Sequence, residues 1–364
     1  MRLISKPAFL VGAFLLSLVS VSAALAPAEH TTLVSVSGKV VDLRGEPVLE
    51  YEIGSMFSFT DGEAEILEPL EVDEDGNFSG QIEMGDGAHA LVAYTPDRRR
   101  AGFVRVHRDK FDHLKVKLAP TVHLEADVTC KELDSRPEWF NAYFDYLDIR
   151  PVSADSSTGK LDVRLPLGEW EYEVYDAWFN STTGMVDLDG ARLKLDIGEI
   201  DLPAGYISRN EGSVVEDWKA TASKNVALER SAISDFRGKW VLVDFWGSWC
   251  DTCISEIGKM MEFYAENQSD DFEFIAFHDN SVRGMVELDR KLAGISRKHW
   301  EGQLPRFPIL IDGEAETFER FEIRAYPTMV LFDPEGRLIG RASLEMLRQA
   351  LAGELEVPAP REGK

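Results

Sequence analysis

Three cysteines stand in the 364 residues, Cys130, Cys250 and Cys253, and two of them are spaced as Cys-x-x-Cys. Sulfurs at this spacing lie about one helical turn apart, so they can close and reopen a disulfide and carry two electrons as they do so. The same spacing also supplies half of a structural zinc site, but zinc takes about four ligands. No second Cys-x-x-Cys or Cys/His pair accompanies this one, and His278 and His299 stand alone. Neither a metal nor another cofactor is therefore expected. An inert bridge this short would constrain almost nothing. Thiol–disulfide exchange is the chemistry that the pair suits.

The flanking residues say how the pair is held. Residues 239–246 read Lys-Trp-Val-Leu-Val-Asp-Phe-Trp, a nearly continuous apolar run that fits a central strand covered on both faces. Gly247, Ser248 and Trp249 lead to Cys250, after which Ile254, Ile257, Met261 and Tyr264 recur on one helical face. Cys250 thus falls where a strand ends and a helix begins. Unpaired N–H groups and the positive end of the helix dipole stabilise a thiolate there. They can draw a thiol that ionises near about pH 8.5 toward neutrality. Cys250 is expected to be the nucleophile, and Cys253, one turn on, the resolving thiol.

The run Val243-Asp244-Phe245-Trp246-Gly247-Ser248-Trp249-Cys250-Asp251-Thr252-Cys253 resembles the thioredoxin active-site segment. Ile323-Arg324-Ala325-Tyr326-Pro327-Thr328-Met329-Val330 resembles the same family's cis-proline segment and the strand after it. Residues 308–312 and 333–338 are similar to the exported TlpA and ResA-type reductases of that superfamily. The resemblance implies that Asp244 is the buried carboxylate beneath the pair, with a raised pKa that lets it accept the resolving thiol's proton. It implies that Pro327 is the cis-proline beside which an extended substrate segment pairs, with Trp249 and Tyr326 as further substrate contacts. Three positions depart from the family pattern. Asp251-Thr252 fills the middle of the motif where Gly-Pro or Pro-Pro is frequent, Gly258 stands where a proline often kinks the helix, and Tyr326 is large for its place.

The remainder reads as scaffold. Residues 30–120 and 121–204 are short alternating strands between turns, which predicts two all-β, sandwich-like domains before an α/β thioredoxin fold over residues 213–356. Gly38-Lys39-Val40-Val41-Asp42, Gly45-Glu46-Pro47-Val48 and Asp75-Gly76-Asn77-Phe78 resemble the carboxypeptidase-regulatory-like sandwich modules. Ser153 to Gly159 reads as a loop and residues 198–212 as a linker. The aromatic group Trp139, Phe140, Tyr143, Phe144 and Tyr146 reads as core or inter-domain packing. An additional stretch, residues 283–300, carries Met285, Leu288, Leu292 and Ile295 at helical spacing.

Arg2 and Lys6, an apolar run from Ala8 to Val21 and small residues at Ala23, Ala24 and Ala26 read as a signal peptide over residues 1–26. The mature protein is expected outside the cytoplasm, in the periplasm or an equivalent compartment, without a membrane span. Its formal net charge of −25 repels phosphate backbones and excludes nucleic acid as a partner. Protein thiols and disulfides, with an upstream thiol electron donor, are the expected partners; the β domains' ligand is not legible. Two other functions compete: a surface-binding β-sandwich protein with an accessory redox domain, and a thioredoxin-like peroxidase. The peroxidase needs Thr or Ser three residues before the reactive cysteine, in a loop led by proline; here that position is Gly247.

Overall fold

The computed structural model describes residues 32–84, 89–107, 110–146, 149–267 and 269–359. The expected leader, residues 1–26, lies outside the described residues. Two β-rich units precede an α/β unit.

In the first, a four-stranded sheet runs Glu71–Val72, Asn77–Met84, Thr32–Val41, Leu114–Lys117. It shares one core with a second sheet, Ala119–Pro120, Arg100–Val106, His89–Tyr94, Glu52–Gly54. Strict alternation makes this possible: Phe78, Ile82 and Met84 point inward from one strand while their neighbours face water. The Asp73–Asn77 turn forms because Asp73 accepts the backbone N–H groups of Asp75 and Asn77, and Gly76 takes φ +74°.

The second unit has a three-stranded sheet, Lys160–Leu165, Val122–Thr129, Lys194–Asp201, and a six-stranded one. The larger sheet runs Ser181–Leu188, Gly168–Asp176, Phe140–Tyr146, Ile149–Ser156, Met56–Thr60, Glu63–Leu67. Its last two strands are a hairpin lent by the first stretch of sequence. Val152 pairs in parallel with Phe57, and Phe57 and Phe59 sit in the second core. Ser153 to Ser156, read from sequence as loop, is therefore strand: Ser153, Ala154 and Asp155 pair with Ser58, Phe59 and Thr60, and Ser153, Ala154 and Ser156 are buried. Phe140 and Phe144 are fully buried, as packing residues should be, whereas Tyr143 lies under the Arg150 guanidinium at 4.8 Å.

The supposed linker is docked. The strand Lys194–Asp201 runs into its first residues, and a single helical turn, Tyr206–Arg209, drives Ile207 wholly into the core of the third unit. Glu322 of that unit accepts the Tyr206 N–H at 2.6 Å and pairs with Arg209 at 3.0 Å. Arg324 Nη1 donates to the Phe179 carbonyl at 3.0 Å, and the Arg341 guanidinium lies 4.3 Å from the Trp178 ring centre.

The third unit has six strands: β1 (Ala222–Lys224), β2 (Trp240–Trp246), β3 (Phe272–His278), β4 (Ile309–Ile311), β5 (Thr328–Phe332) and β6 (Leu338–Arg341). Its helices are α1 (Asp251–Glu266), α2 (Met285–His299), α3 (Glu316–Arg320) and α4 (Leu344–Leu351). The sheet order is β1-β4-β3-β2-β5-β6, with β2, β3 and β4 parallel and β5 antiparallel to β2. β2 is central and buried on both sides. Leu242 and Trp246 face one core with α1, α2 and α4; Val241, Val243 and Phe245 face the other. Along α1 the fully covered residues are Cys253, Ile254, Ile257, Met260 and Phe263, and Met261 and Tyr264 only flank that stripe. The extra segment folds as α2, with Leu288 and Leu292 buried, and the Trp300 indole donates to the Ile254 carbonyl at 2.9 Å. Among the described residues no helix is long and apolar enough to cross a membrane.

Candidate redox site

The Cys250–Cys253 pair lies at the carboxyl end of β2, where the parallel strands of an open α/β sheet leave a crevice. Cys250 is the N-cap of α1: its backbone is extended, and its Sγ accepts the Cys253 N–H at 3.1 Å. The Gly247 carbonyl accepts the Cys250 N–H at 3.0 Å, closing the turn out of the strand. The two sulfurs are joined as a disulfide. Cys250 retains 9% of its surface and Cys253 none, so an incoming sulfur can meet only the first. Reduction would leave the N–H of Cys253 pointing at the Cys250 sulfur, where it would become a charge-assisted hydrogen bond to a thiolate.

Asp244 follows Leu242 on β2 with the same side-chain parity, so it faces the α1 side of the sheet. It is fully buried, and neither carboxylate oxygen has a hydrogen-bond partner among the described residues. Burial pushes its pKa well above the ordinary carboxylate range, and the negative charge of Glu256 adds to the rise. Its apolar, unpartnered setting favours the protonated carboxyl over the carboxylate.

The Tyr326–Pro327 peptide bond is cis. Tyr326 meets Trp249 edge-to-face at 5.1 Å, so the cysteine loop and the proline loop touch through their aromatic side chains. Trp249 is nearly half exposed although its indole donates to Asp279 Oδ2 at 2.9 Å. A cleft of about 370 Å³ begins at Tyr326 and Asp279 and runs past Phe318 to Arg324.

Two members of the site carry no signal in the local sequence. His278 ends β3 and Asp279 follows it, beside the end of β2. His278 Nε2 accepts the Ser248 N–H at 2.9 Å, and its Nδ1 lies 2.8 Å from the Asp279 carbonyl. With Nε2 an acceptor, the ring proton sits on Nδ1, and the imidazole fastens the Gly247–Ser248 turn to the sheet. Burial pushes Asp279 up, but hydrogen bonds from His278, Ser281 and Trp249 outweigh it and hold its pKa at about 2. The neighbouring carboxyl ends of parallel strands were the available clue.

Cys130 is buried in the second β unit, unpaired, with its thiol pushed up by burial. His123, Glu125 and Asp162 bring metal-ligand atoms within 4.8 Å of one another on that unit. Those groups are already engaged, His123 with Asp162 at 2.7 Å and Glu125 with Lys194 at 2.7 Å.

The AhpC/TSA family model matches residues 212–340, the stretch that holds the disulfide, Asp244 and the cis-proline. The C-terminal domain is thioredoxin-like. It is similar to the thiol–disulfide oxidoreductase ResA of Bacillus subtilis (strain 168), 26% identical over 136 residues, 37% of this chain and 69% of that protein. ResA of Bacillus cereus (strain ATCC 10987 / NRS 248) is 28% identical over 161 residues, 43% of this chain and 85% of the relative. Among solved structures, the thioredoxin domain of a thiol–disulfide oxidoreductase from Bacteroides vulgatus covers 40% of this chain and 98% of its own, with 19% identity and a TM-score of 0.32. StoA from Bacillus subtilis covers 31% of this chain and 82% of its own, at 24% identity and a TM-score of 0.25. The thioredoxin-like domain is thus a thiol–disulfide oxidoreductase domain, preceded by a β-rich region of its own architecture.

Proposed function

We propose that the protein is exported and reduces disulfides in protein substrates. The observation that carries this reading is the asymmetry of the pair: Cys250 caps α1 and keeps some surface, while Cys253 is sealed and Asp244, on the α1 side of the sheet, is buried and unpartnered. In the reduced enzyme the Cys250 thiolate attacks one sulfur of the substrate disulfide. A new S–S bond forms to Cys250, the substrate bond breaks, and the departing thiolate takes a proton from solvent. Cys253 then gives its proton to the ionised form of Asp244 and attacks Cys250; the second substrate sulfur leaves as a thiolate, takes that proton, and the Cys250–Cys253 disulfide remains. The substrate has gained two electrons, the enzyme has lost two, and an upstream dithiol restores it.

Trp249, Tyr326 and Pro327 hold the substrate in this scheme. The proline lacks an N–H, and the backbone beside it is free to pair with an extended segment, with the two aromatic rings as its floor. The β-rich region then serves as a platform, and Gly247 at the third position before Cys250 speaks against peroxide chemistry. The leader-like N-terminus supports export.

Insulin reduction by the dithiol form is the direct test. Cys250→Ser should abolish it, and Cys253→Ser should accumulate a mixed disulfide on Cys250. An unchanged rate in Cys250→Ser would reject the scheme. Export is tested separately, since recovery of the chain in the membrane fraction with Met1 intact would contradict a cleaved leader.

A further inference from the structure

The disulfide has a second cleft beside it, on the α2 side. About 520 Å³ in volume, it is bounded by Ser248, Asp251 and Ile254 of the active-site turn and by Lys291, Ile295 and Lys298 of α2. Its charge runs against that of the molecule. The chain carries a net −25, yet residues 283–300 contain five Lys and Arg against two carboxylates. Both carboxylates are engaged elsewhere, Asp289 with Lys224 at 2.5 Å and Glu287 with the Arg283 N–H at 3.1 Å.

Lys291, Lys298 and the adjoining His299 have no carboxylate oxygen within 4.0 Å among the described residues. Lys291 is half-buried nonetheless. Seven residues separate the two lysines, two helical turns, which places both on the cleft side of α2. Between them Gly294 leaves the floor open, because a Cβ there would meet nothing within 4 Å. Ser248 also lines the cleft, and its buried hydroxyl has no hydrogen-bond partner among the described residues. Asp251 is the one carboxylate on the rim. On the opposite side of the disulfide the cleft past Tyr326 is lined by Asp279, Glu319 and Glu322, of which Glu322 is paired with Arg209, and by the Arg324 cation, which donates to the Phe179 carbonyl. The basic wall thus stands on the α2 side of the attacking sulfur, and the other side is lined by more carboxylates than cations.

We propose that the α2 cleft receives an acidic polypeptide segment next to the substrate cysteine, so that the enzyme selects substrates with carboxylates on one flank only. The proposal rests on the oxidoreductase reading and adds to it the substrate class and its polarity. Unpaired ammonium groups flanking a reactive sulfur raise the encounter rate of an anionic segment and fix its direction along the groove, an effect that salt screens.

The experiment uses the full mature chain, reduced and freed of reductant. Peptides of one sequence carry a single cysteine as a mixed disulfide with a thionitrobenzoate reporter, with three Glu or three Lys before or after it. Release of the reporter is followed in stopped flow at low ionic strength. The Glu peptide should react about three to tenfold faster than the Lys peptide for one placement and not for the other. That ratio should fall toward one in about 0.5 M salt and in Lys291→Gln/Lys298→Gln. Equal rates for both charges, the same preference on both flanks, or a ratio that survives in the double variant would each overturn the proposal. Lysine-dependent sedimentation with phosphatidylglycerol vesicles, without any peptide preference, would make the cleft a lipid contact and overturn it too. Wild-type reduction of 2-hydroxyethyl disulfide separates the two levels. Its absence defeats the oxidoreductase reading, whereas its presence with a flat peptide series defeats only the cleft.

Discussion

Replacing Asp244 by asparagine keeps the shape of the side chain and removes its charge, which makes the proton on this group measurable as stability. The carboxyl is fully buried without a hydrogen-bond partner among the described residues, and burial followed by Glu256 raises its pKa from an unfolded value near 3.8. Between the unfolded and folded values the native chain holds a proton that the unfolded chain has released. Stability is therefore fully present below the unfolded pKa and is lost as pH rises toward the folded one. The loss is about 1.4 kcal/mol per pH unit while the folded carboxyl stays protonated, and it stops once that carboxyl ionises. Asparagine has no such slope. From pH 5 upward the variant should gain on the wild type by about 1.4 kcal/mol per unit and then level off, and the plateau marks the folded pKa. Hydrogen exchange in peptides covering Trp240–Trp246 isolates the opening of this domain from the melting of the β units. Glu256→Gln should bring the plateau to lower pH. A difference that stays flat between pH 5 and 8, or one in which asparagine loses ground as pH rises, would refute the assignment of a retained proton to Asp244.

Further outcomes follow from the same geometry. After reduction at neutral pH, iodoacetamide should label Cys250 well before Cys253, and Cys130 slowly, as mass mapping will show, because only Cys250 keeps surface beside a helix N-terminus. Asp251→Asn removes an exposed negative charge from the first turn of α1. It should stabilise the thiolate by about 0.3–1 kcal/mol and make the pair about 5–20 mV more oxidising in a glutathione titration; no shift, or a shift to more reducing values, would reject a role for that charge. Asp279→Ala frees the Trp249 indole, so KM for insulin should rise about threefold or more while reduction of 2-hydroxyethyl disulfide changes less.

What could be read from residues alone divides along the range of the interactions involved. The reactive pair, its strand and its helix were legible because one short segment fixes them: an apolar run, a turn and an amphipathic stripe are contiguous in sequence. The stripe itself was placed one residue late, on Met261 and Tyr264, because spacing alone does not say which side of α1 meets the sheet; Met260 and Phe263 take the covered positions. The hairpin of Met56–Thr60 and Glu63–Leu67 shows the opposite case. Alternation at Phe57 and Phe59 marks a strand, but the strand it pairs with begins at Ile149, almost a hundred residues on, and no local pattern chooses between the two sheets within reach.

His278 and Asp279 were hidden for the same reason, and their contacts explain why the site needs them. A disulfide closed at a helix N-terminus must hold its turn against the strain of opening and closing, yet Gly247 and Ser248 lack side chains that pack. The imidazole supplies the missing anchor from the neighbouring strand by accepting the Ser248 N–H, while Asp279 holds the adjoining indole. The cis-proline loop is steadied from farther away. Glu322 is bound to the helical turn after the β units, and Arg324 to a carbonyl of their Asp176–Asn180 turn. Of the two loops that meet at Trp249 and Tyr326, one is thus anchored within the thioredoxin-like sheet and the other partly by the region that precedes it. The β-rich part is therefore in mechanical contact with the substrate side of the site, and a change in its docking reaches the proline loop through two polar contacts within three residues of Ala325.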